Sequence, residues 1–129
     1  MGKTEIKSDK APAAIGPYSQ GLRAGSLLFL SGSIPVDPAT GEVDTGGIEQ
    51  QTHRVLMNIE AVLNEAGAGL TSVVKTTVFL KDMGDFPAMN EVYGEFFSRP
   101  YPARSTVGVK DLPKGVSVEI DAVAVIDSD

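Results

Sequence analysis

The fold of this chain is decided near its C-terminus, where the sequence reads VSVEIDAVAVI from Val116 to Ile126. Apolar residues alternate with other residues through most of this stretch, and a period of two is typical of a β-strand with one buried face. Glu119 and Asp121 share the second face with Val123 and Val125, because residues two apart point to the same side of a strand. That second face therefore carries two carboxylates together with apolar surface.

Upstream of this strand, sequence patterns predict five more strands and two helices. The resulting order, β-β-β-α-β-α-β-β, predicts an α+β fold in which two amphipathic helices cover one face of a single mixed sheet. We see no linker and no internal repeat, so residues 1–129 are predicted to form a single domain. The predicted strands are Thr4–Lys7, Gln20–Ala24, Leu27–Ser33, Ser72–Lys81 and Arg104–Val109, and the predicted helices run from Ile48 to Ala66 and from Asp85 to a stop at Pro100.

The second face of the sheet needs a cover that the chain itself does not supply. The run from Leu27 to Leu30 is apolar on both faces, which favours a central strand that is covered twice. Two helices on one side leave the other side exposed. An apolar sheet face without an intramolecular cover predicts an oligomer, with binding sites near its seams.

Composition and missing motifs exclude several classes of function. A net charge of -6 disfavours nucleic-acid binding, which needs a surplus of Lys and Arg. The absence of cysteine excludes disulfides, thiolate nucleophiles and cysteine-based zinc sites, and it is compatible with a cytoplasmic location. The sequence has no membrane-length apolar run, no phosphate-binding loop, no dinucleotide fingerprint and no His-Glu-x-x-His motif. We therefore expect no membrane and no nucleic-acid partner.

Arg104 and Glu119 are the first candidates for chemistry. A guanidinium can hold a carboxylate through two parallel hydrogen bonds, and Pro102 and a β-branched run position this one. Glu119 is a candidate general acid or base if partial burial raises its pKa, and Asp121 competes for that role. A surface salt bridge and a solvated strand face are the commoner explanations. If the two strands are neighbours, the pair predicts a site for a small substrate that carries a carboxylate.

Other candidates lie in loops and in the helices, and each also has an ordinary structural explanation. Tyr18 follows a rigid Gly-Pro entry that can hold its hydroxyl at a fixed point, although loop tyrosines often only pack. Ser31 and Gly32 end a buried strand, where the glycine marks a bulge or allows a close approach to a ligand. Asn90 is most simply a surface helix residue. His53, the sole histidine, is expected to face solvent.

Taken together, these segments resemble the RidA (YjgF-like) family of reactive-intermediate imine deaminases over nearly the whole chain. Its Gly-Pro-Tyr, Pro-Ala-Arg-Ser and Glu-Ile signatures all occur here. The similar segments are Ala14–Gln20, Ser31–Val36, Val74–Asp82, Phe86 with Asn90 and Tyr93, Pro102–Ser105 and Val118–Ile120.

The resemblance implies a chorismate-mutase-like fold assembled as a homotrimer, with three clefts between subunits. It implies hydrolysis of 2-imino acids and their enamine tautomers, such as 2-iminopropanoate and 2-iminobutanoate, to 2-oxo acids and ammonia. It also implies that the deaminase uses no cofactor and no metal. A trimeric ligand-binding or regulatory protein that uses the same cleft without turnover is the alternative, because fold does not fix function. A ribonuclease or translation inhibitor fits the acidic composition poorly.

Residue by residue, the resemblance implies that Arg104 grips the substrate carboxylate and that Glu119 activates water. Tyr18, Ser31 and Asn90 match residues of the cleft. Thr106 stands where many relatives have a cysteine, and its hydroxyl can still hydrogen-bond a ligand or a water molecule. The expected site therefore combines Arg104, Glu119 and Tyr18 as catalytic residues with Ser31, Gly32, Asn90 and Thr106 as substrate-binding residues.

Overall fold

One six-stranded sheet with two helices forms the protein in the computed structural model, which describes residues 2 to 127. The order of elements along the chain is the predicted one, with short 3-10 turns in three of the connections. The strands are β1 (Lys3–Ile6), β2 (Gly21–Ala24), β3 (Leu27–Ser33), β4 (Val73–Leu80), β5 (Ala103–Gly108) and β6 (Val118–Val125), and the helices are α1 (Ile48–Glu65) and α2 (Phe86–Phe96).

The C-terminal strand lies inside the sheet. The strands are arranged in the order β1-β2-β3-β6-β4-β5, and β6 is antiparallel to both of its neighbours. The sheet is mixed because β4 and β5 run parallel, with α2 in the crossover between them. The alternation read from the sequence is confirmed, since Val118, Ile120, Ala122 and Ala124 are all buried and the residues between them are not.

Both helices contribute to one core on the same side of the sheet. The buried stripe of α1 includes Val55, Leu56, Ile59 and Leu63 and packs against β3 and β6. Helix α2 adds Met89, which is fully buried. We call this side of the sheet the helix face.

The opposite side of the sheet, which carries Glu119, Asp121, Val123 and Val125, is called the open face below. Leu27 and Phe29 of β3 lie on it, and they are 39% and 44% exposed. The prediction that β3 is a central strand is confirmed. The sequence also predicted that both faces of β3 are covered, but residues 2–127 of this chain cover only the helix face.

Candidate functional site

A cleft with a volume of about 760 Å³ opens beside the end of β3. Its walls come from the 11–20 loop, the end of β3, helix α1, the turn before β6 and β6 itself. Tyr18, Ser31, Gly32 and Glu119 all line it, so the structure brings four of the predicted site residues together. The remaining lining is mostly aliphatic, as is usual for a pocket that holds a small organic molecule.

Gly32 is where the strand approaches the carboxylate of Glu119 most closely. The register of β3 on β6 shifts between Leu30 and Ser33, which confirms the bulge predicted at this glycine. A Cβ atom at position 32 would collide with the carboxylate of Glu119. A side chain here would push the carboxyl of Glu119 aside, so glycine allows the acid to lie close against the strand.

Glu119 has the electrostatic surroundings of a weak carboxylic acid. Burial raises the pKa of its carboxyl above the usual range, and the neighbouring negative charge of Asp121 raises it further. Both effects disfavour the ionised form, so proton uptake by Glu119 is easier than for an exposed glutamate. A carboxylate with a raised pKa is suited to taking a proton from water near neutral pH.

The 11–20 loop is tied to the sheet by Gln20, which the sequence analysis did not single out as a site residue. Its Nε2 donates to the carbonyl oxygen of Pro12 at 2.7 Å, and its Oε1 accepts from the backbone N–H of Ser8 at 2.6 Å. Ser31 adds a second tie, because its Oγ donates to the carbonyl oxygen of Ser19 at 2.6 Å. These hydrogen bonds position the segment that carries Tyr18.

The opposite wall depends on a second residue that was overlooked. Asn58 of α1 is 2% exposed, and its Nδ2 donates to the carbonyl oxygen of Val36 at 2.9 Å. A weaker contact reaches the carbonyl oxygen of Ile34 at 3.3 Å. The available signal was a polar amide beside Ile59, within the apolar stripe of the helix, since a buried amide group needs hydrogen-bond partners. Its Nδ2 has them, whereas its Oδ1 is buried without a partner within residues 2–127.

Arg104 lies elsewhere, against the aromatic side chains of α2. Its guanidinium carbon is 4.7 Å from the ring centre of Tyr93 and 5.5 Å from that of Phe86. Cation–π contacts of this kind hold a guanidinium in place while leaving its N–H groups free to donate. Tyr93 is itself anchored, because its hydroxyl lies 2.7 Å from Oγ1 of Thr76 in a buried hydrogen bond. Burial is the main reason why the pKa of Tyr93 is raised, so its hydroxyl stays protonated at neutral pH.

Thr106 and Asn90 lie on the same side as Arg104. Thr106 pairs with Val78 across the sheet, and its Oγ1 is buried without a hydrogen-bond partner within residues 2–127. Asn90 is exposed on α2, four residues after Phe86 and three before Tyr93, so helical spacing puts it on the stripe that faces Arg104. Arg104, Asn90 and Thr106 therefore form a second group, separate from the cleft.

The expectation that Arg104 and Glu119 lie on neighbouring strands is wrong. Strand β4 lies between β5 and β6, because β6 inserts antiparallel between β3 and β4. The two side chains also point to opposite faces. Arg104 pairs with the buried Thr76 on the helix face, whereas Glu119 pairs with Phe79 on the open face. Within one chain, Arg104 does not line the cleft that holds Glu119.

A second groove, of about 570 Å³, is lined by residues of α1, α2 and the segment before α1. His53 is exposed there, as predicted, and packs edge-on against Phe96 with ring centres 5.1 Å apart. Across residues 2–127, no group of three or more histidine, aspartate and glutamate side chains is placed to hold a metal ion. In the same range, no helix combines the length and apolar character needed to cross a bilayer.

The structure combines a sheet with two helices on one face, a cleft around a half-buried glutamate and an arginine held by aromatic rings. These features define the class of known proteins with which the chain is compared. Residues 8–126 match the model of a family described as Endoribonuclease L-PSP. A RutC family protein of Pyrococcus abyssi is 53% identical over 124 residues, which are 96% of this chain and 98% of that protein.

Two further matches carry more specific names. The chloroplastic Reactive Intermediate Deaminase A of Arabidopsis thaliana is 44% identical over 124 residues, which are 96% of this chain and 66% of that protein. The crystal structure of E. coli TdcF with bound serine superposes with a TM-score of 0.91 at 44% identity and covers 96% of this chain and 99% of that one. The chain belongs to the RidA (YjgF-like) family, and its two helices on a single mixed sheet have the fold of that family.

Proposed function

We propose that this protein hydrolyses reactive 2-imino acids and their enamine tautomers to 2-oxo acids and ammonia. The observation that carries the proposal is the carboxyl of Glu119, which lines a small-molecule cleft and whose pKa is raised by burial and by Asp121. Membership in a family that includes a reactive intermediate deaminase supports the reaction class. The solved structure of E. coli TdcF holds serine, an amino acid close in shape to the proposed substrates.

The reaction requires the protein to position the substrate and to move a proton from water to the nitrogen through Glu119. The carbon of a protonated imine is already electrophilic, so water adds once a base accepts its proton. Glu119 takes that proton and passes it to the nitrogen. The carbon–nitrogen bond of the resulting carbinolamine then breaks, the oxygen lone pair forms the carbonyl, and the hydroxyl proton leaves with ammonia as ammonium. No electrons are gained or lost, and every proton comes from the substrate or from water.

The proposed site is shared between subunits. Arg104, Asn90 and Thr106 lie on the helix-face side of β5 and α2, at the edge of the sheet, whereas Tyr18, Ser31, Gly32 and Glu119 line the cleft. A substrate that contacts both groups has to lie between two copies of the chain. The partly exposed apolar side chains of the open face are the surface that would be buried on assembly, and a homotrimer gives three equivalent clefts.

Arg104 would hold the substrate carboxylate in this arrangement. Phe86 and Tyr93 support its guanidinium, which leaves the fork of N–H groups available for two parallel hydrogen bonds. Holding the carboxylate orients the imine carbon towards the water that Glu119 activates, and orientation of this kind supplies much of the acceleration in such reactions. Tyr18 and Ser31 would contact the substrate from the cleft side.

A coupled assay tests the activity. An amino-acid dehydratase generates 2-iminobutanoate in place, and the formation of 2-oxobutanoate is followed with and without this protein. Faster formation than the spontaneous reaction is the expected result. Binding of 2-oxobutanoate without any acceleration would favour the ligand-binding or regulatory alternative.

A mixing experiment tests the shared site separately. Arg104→Ala and Glu119→Gln subunits are each expected to be inactive alone. If each site takes Arg104 from one subunit and Glu119 from the next, random trimers from an equal mixture recover about one quarter of the wild-type sites. No recovery after subunit exchange, with native mass spectrometry showing mixed trimers, would contradict the shared site.

The description of the matching family as an endoribonuclease raises a second activity. The charge of the chain argues against it, because a net charge of -6 repels a phosphate backbone. We expect no RNA cleavage by a nuclease-free preparation. Saturable cleavage that is abolished by Glu119→Gln would overturn this expectation.

A further inference from the structure

Lys114 lines the same cleft as Glu119, and the proposed reaction gives it no task. It stands in the 3-10 turn Pro113–Gly115, which leads directly into β6. The turn is closed by hydrogen bonds from the backbone N–H groups of Gly115 and Val116 to the carbonyl oxygens of Leu112 and Pro113, at 3.1 and 3.3 Å. The backbone of Lys114 is thereby fixed at the rim of the cleft.

The conformation of Lys114 is unusual for a lysine. Its φ of 58° and ψ of 18° lie in the left-handed region, which residues other than glycine seldom occupy. Strained backbone persists only where the surroundings determine it, and such positions are concentrated at functional sites. Asparagine adopts the left-handed region more readily than lysine, so the residue present is not the one that the backbone alone would favour.

The ammonium group of Lys114 is not held in an ion pair with Glu119. An ion pair between them would lower the pKa of the carboxyl, whereas that pKa is raised, by burial first and by Asp121 second. Lys114 is also exposed, so its charge is accessible to a molecule that enters the cleft. Because Arg104 does not line this cleft, Lys114 is the lysine or arginine that the described part of each chain supplies to the cleft that Glu119 also lines.

The size of the cleft leaves room for a second recognition group. About 760 Å³ is several times the volume that the four-carbon 2-iminobutanoate needs, so a longer side chain can be accommodated. A substrate held by its 2-carboxylate at Arg104 of one subunit would extend its side chain into the cleft of the next. A cation at the rim of the cleft would then bind a carboxylate at the end of that side chain.

We propose that Lys114 is a specificity-determining residue that binds the side-chain carboxylate of dicarboxylic 2-imino acids, of which 2-iminoglutarate is the model. This inference rests on the proposed function, since it assigns the substrate class of that same site. It predicts that a dicarboxylic imine is processed better than a monocarboxylic imine of equal chain length. The preference should weaken as ionic strength rises, because the lysine is solvent-exposed.

The test compares two substrates of five carbons, 2-iminoglutarate and 2-iminopentanoate, each generated from its amino acid by an amino-acid oxidase with catalase present. The readout is the ratio of their kcat/KM values. Lys114→Asn removes the charge and keeps a residue that accepts the left-handed backbone. Lys114→Arg restores a cation, and Lys110→Asn is the matched control, since Lys110 is exposed but does not line the cleft.

We expect the ratio to fall by about 1.5- to fivefold in Lys114→Asn, which is the range for an exposed charge pair. Lys114→Arg should recover most of it, and Lys110→Asn should leave it unchanged. An unchanged ratio in Lys114→Asn would overturn the proposal. An equal loss on both substrates would overturn it too, because Lys114 would then serve the carboxylate that they share.

A binding measurement separates failure of this inference from failure of the proposed function. Calorimetry with the stable products, 2-oxoglutarate and 2-oxopentanoate, measures the same preference without any turnover. The wild-type protein could accelerate neither hydrolysis and still bind 2-oxoglutarate more tightly than 2-oxopentanoate, in a way that depends on Lys114. In that case the specificity of Lys114 is supported and the proposed deaminase activity is wrong. If turnover is present and binding shows no such preference, only the role of Lys114 is wrong.

Discussion

The two halves of the proposed site are built in different ways. The cleft half holds Glu119 beside a strand bulge, under a loop that depends on hydrogen bonds of Gln20. The other half holds Arg104 on a regular strand, against the aromatic rings of Phe86 and Tyr93. The acid is tuned by burial and by a like charge, whereas the cation is positioned by packing. The first half is therefore expected to control proton transfer, and the second to control orientation of the substrate.

Replacing the acid should have the largest effect. Glu119→Gln keeps the shape of the cleft and removes the proton acceptor, so turnover of 2-iminobutanoate should fall by about 10²–10⁴. Binding of 2-oxobutanoate, measured by calorimetry, should survive because Arg104, the proposed carboxylate anchor, is unchanged. Loss of binding with unchanged turnover of bound substrate would mean that Glu119 only organises the cleft, and Asp121 would be the next candidate base.

The thermal stability of this variant serves as its control. The folded-state pKa of Glu119 is raised, so its contribution to stability is present below the unfolded pKa and is lost as pH rises through the folded pKa. Near neutral pH the ionised carboxylate therefore costs stability. Glu119→Gln should melt no lower than the wild-type protein at that pH, and a lower melting temperature would show that the lost activity reflects unfolding.

Changing the cation tests the other half. Arg104→Lys keeps the charge and loses the fork of parallel hydrogen bonds, which are worth about 1.5–3 kcal/mol and correspond to roughly tenfold to more than a hundredfold in kcat/KM. The variant should fold normally, because Arg104 is only partly buried. Unimpaired turnover of 2-iminopropanoate by this variant would remove Arg104 as the carboxylate anchor.

Gly32→Ala probes how tightly the cleft half is packed. The added Cβ meets the carboxylate of Glu119, so the acid has to move, and a misplaced catalytic group should lower turnover by about tenfold. Stability should change little, because the Cβ meets the free end of a flexible, partly exposed side chain. Gly94→Ala is the matched control, because a Cβ there meets nothing within 4 Å. Equal activities of the two variants would contradict the close approach.

The smallest effect should come from Asp121→Asn. Removing the neighbouring negative charge lowers the pKa of Glu119, because a like charge had raised it. A base is active when deprotonated, so the acid limb of the pH–rate profile should move to lower pH while the plateau rate is kept. Glu95→Gln, an exposed change on α2, should leave the profile in place. If the acid limb does not move, Asp121 has no effect on the pKa of Glu119.

The sequence predicted the fold because its signals are local. Alternation in β6, the apolar stripes of the helices and the turn residues between them each act over a few neighbours, so they can be read without knowing the tertiary structure. The segment that runs from Leu27 to Leu30 also indicated, correctly, a central strand. The strand order was harder to predict, because insertion of β6 between β3 and β4 depends on pairings between distant parts of the chain.

The residues of the cleft likewise divide into those that the sequence predicted and those that it did not. Tyr18, Ser31, Gly32 and Glu119 were predicted as members of one site, and the structure brings them into one cleft. Gln20 and Asn58 were missed as supports of that cleft, because their partners are backbone groups of other segments. Lys114 was missed because a lysine in a Pro-Lys-Gly turn gives no signal that it borders a cleft.

By itself, the sequence determined the kinds of element, their order, the alternating faces of β6 and the residue types able to bind a carboxylate and accept a proton. Only the tertiary structure decided that Arg104 and Glu119 lie on opposite faces of one sheet, with β4 between their strands. The physical reason is that side-chain direction in a strand follows a local period of two, whereas the partner of each strand is selected by packing of the whole sheet against its helices.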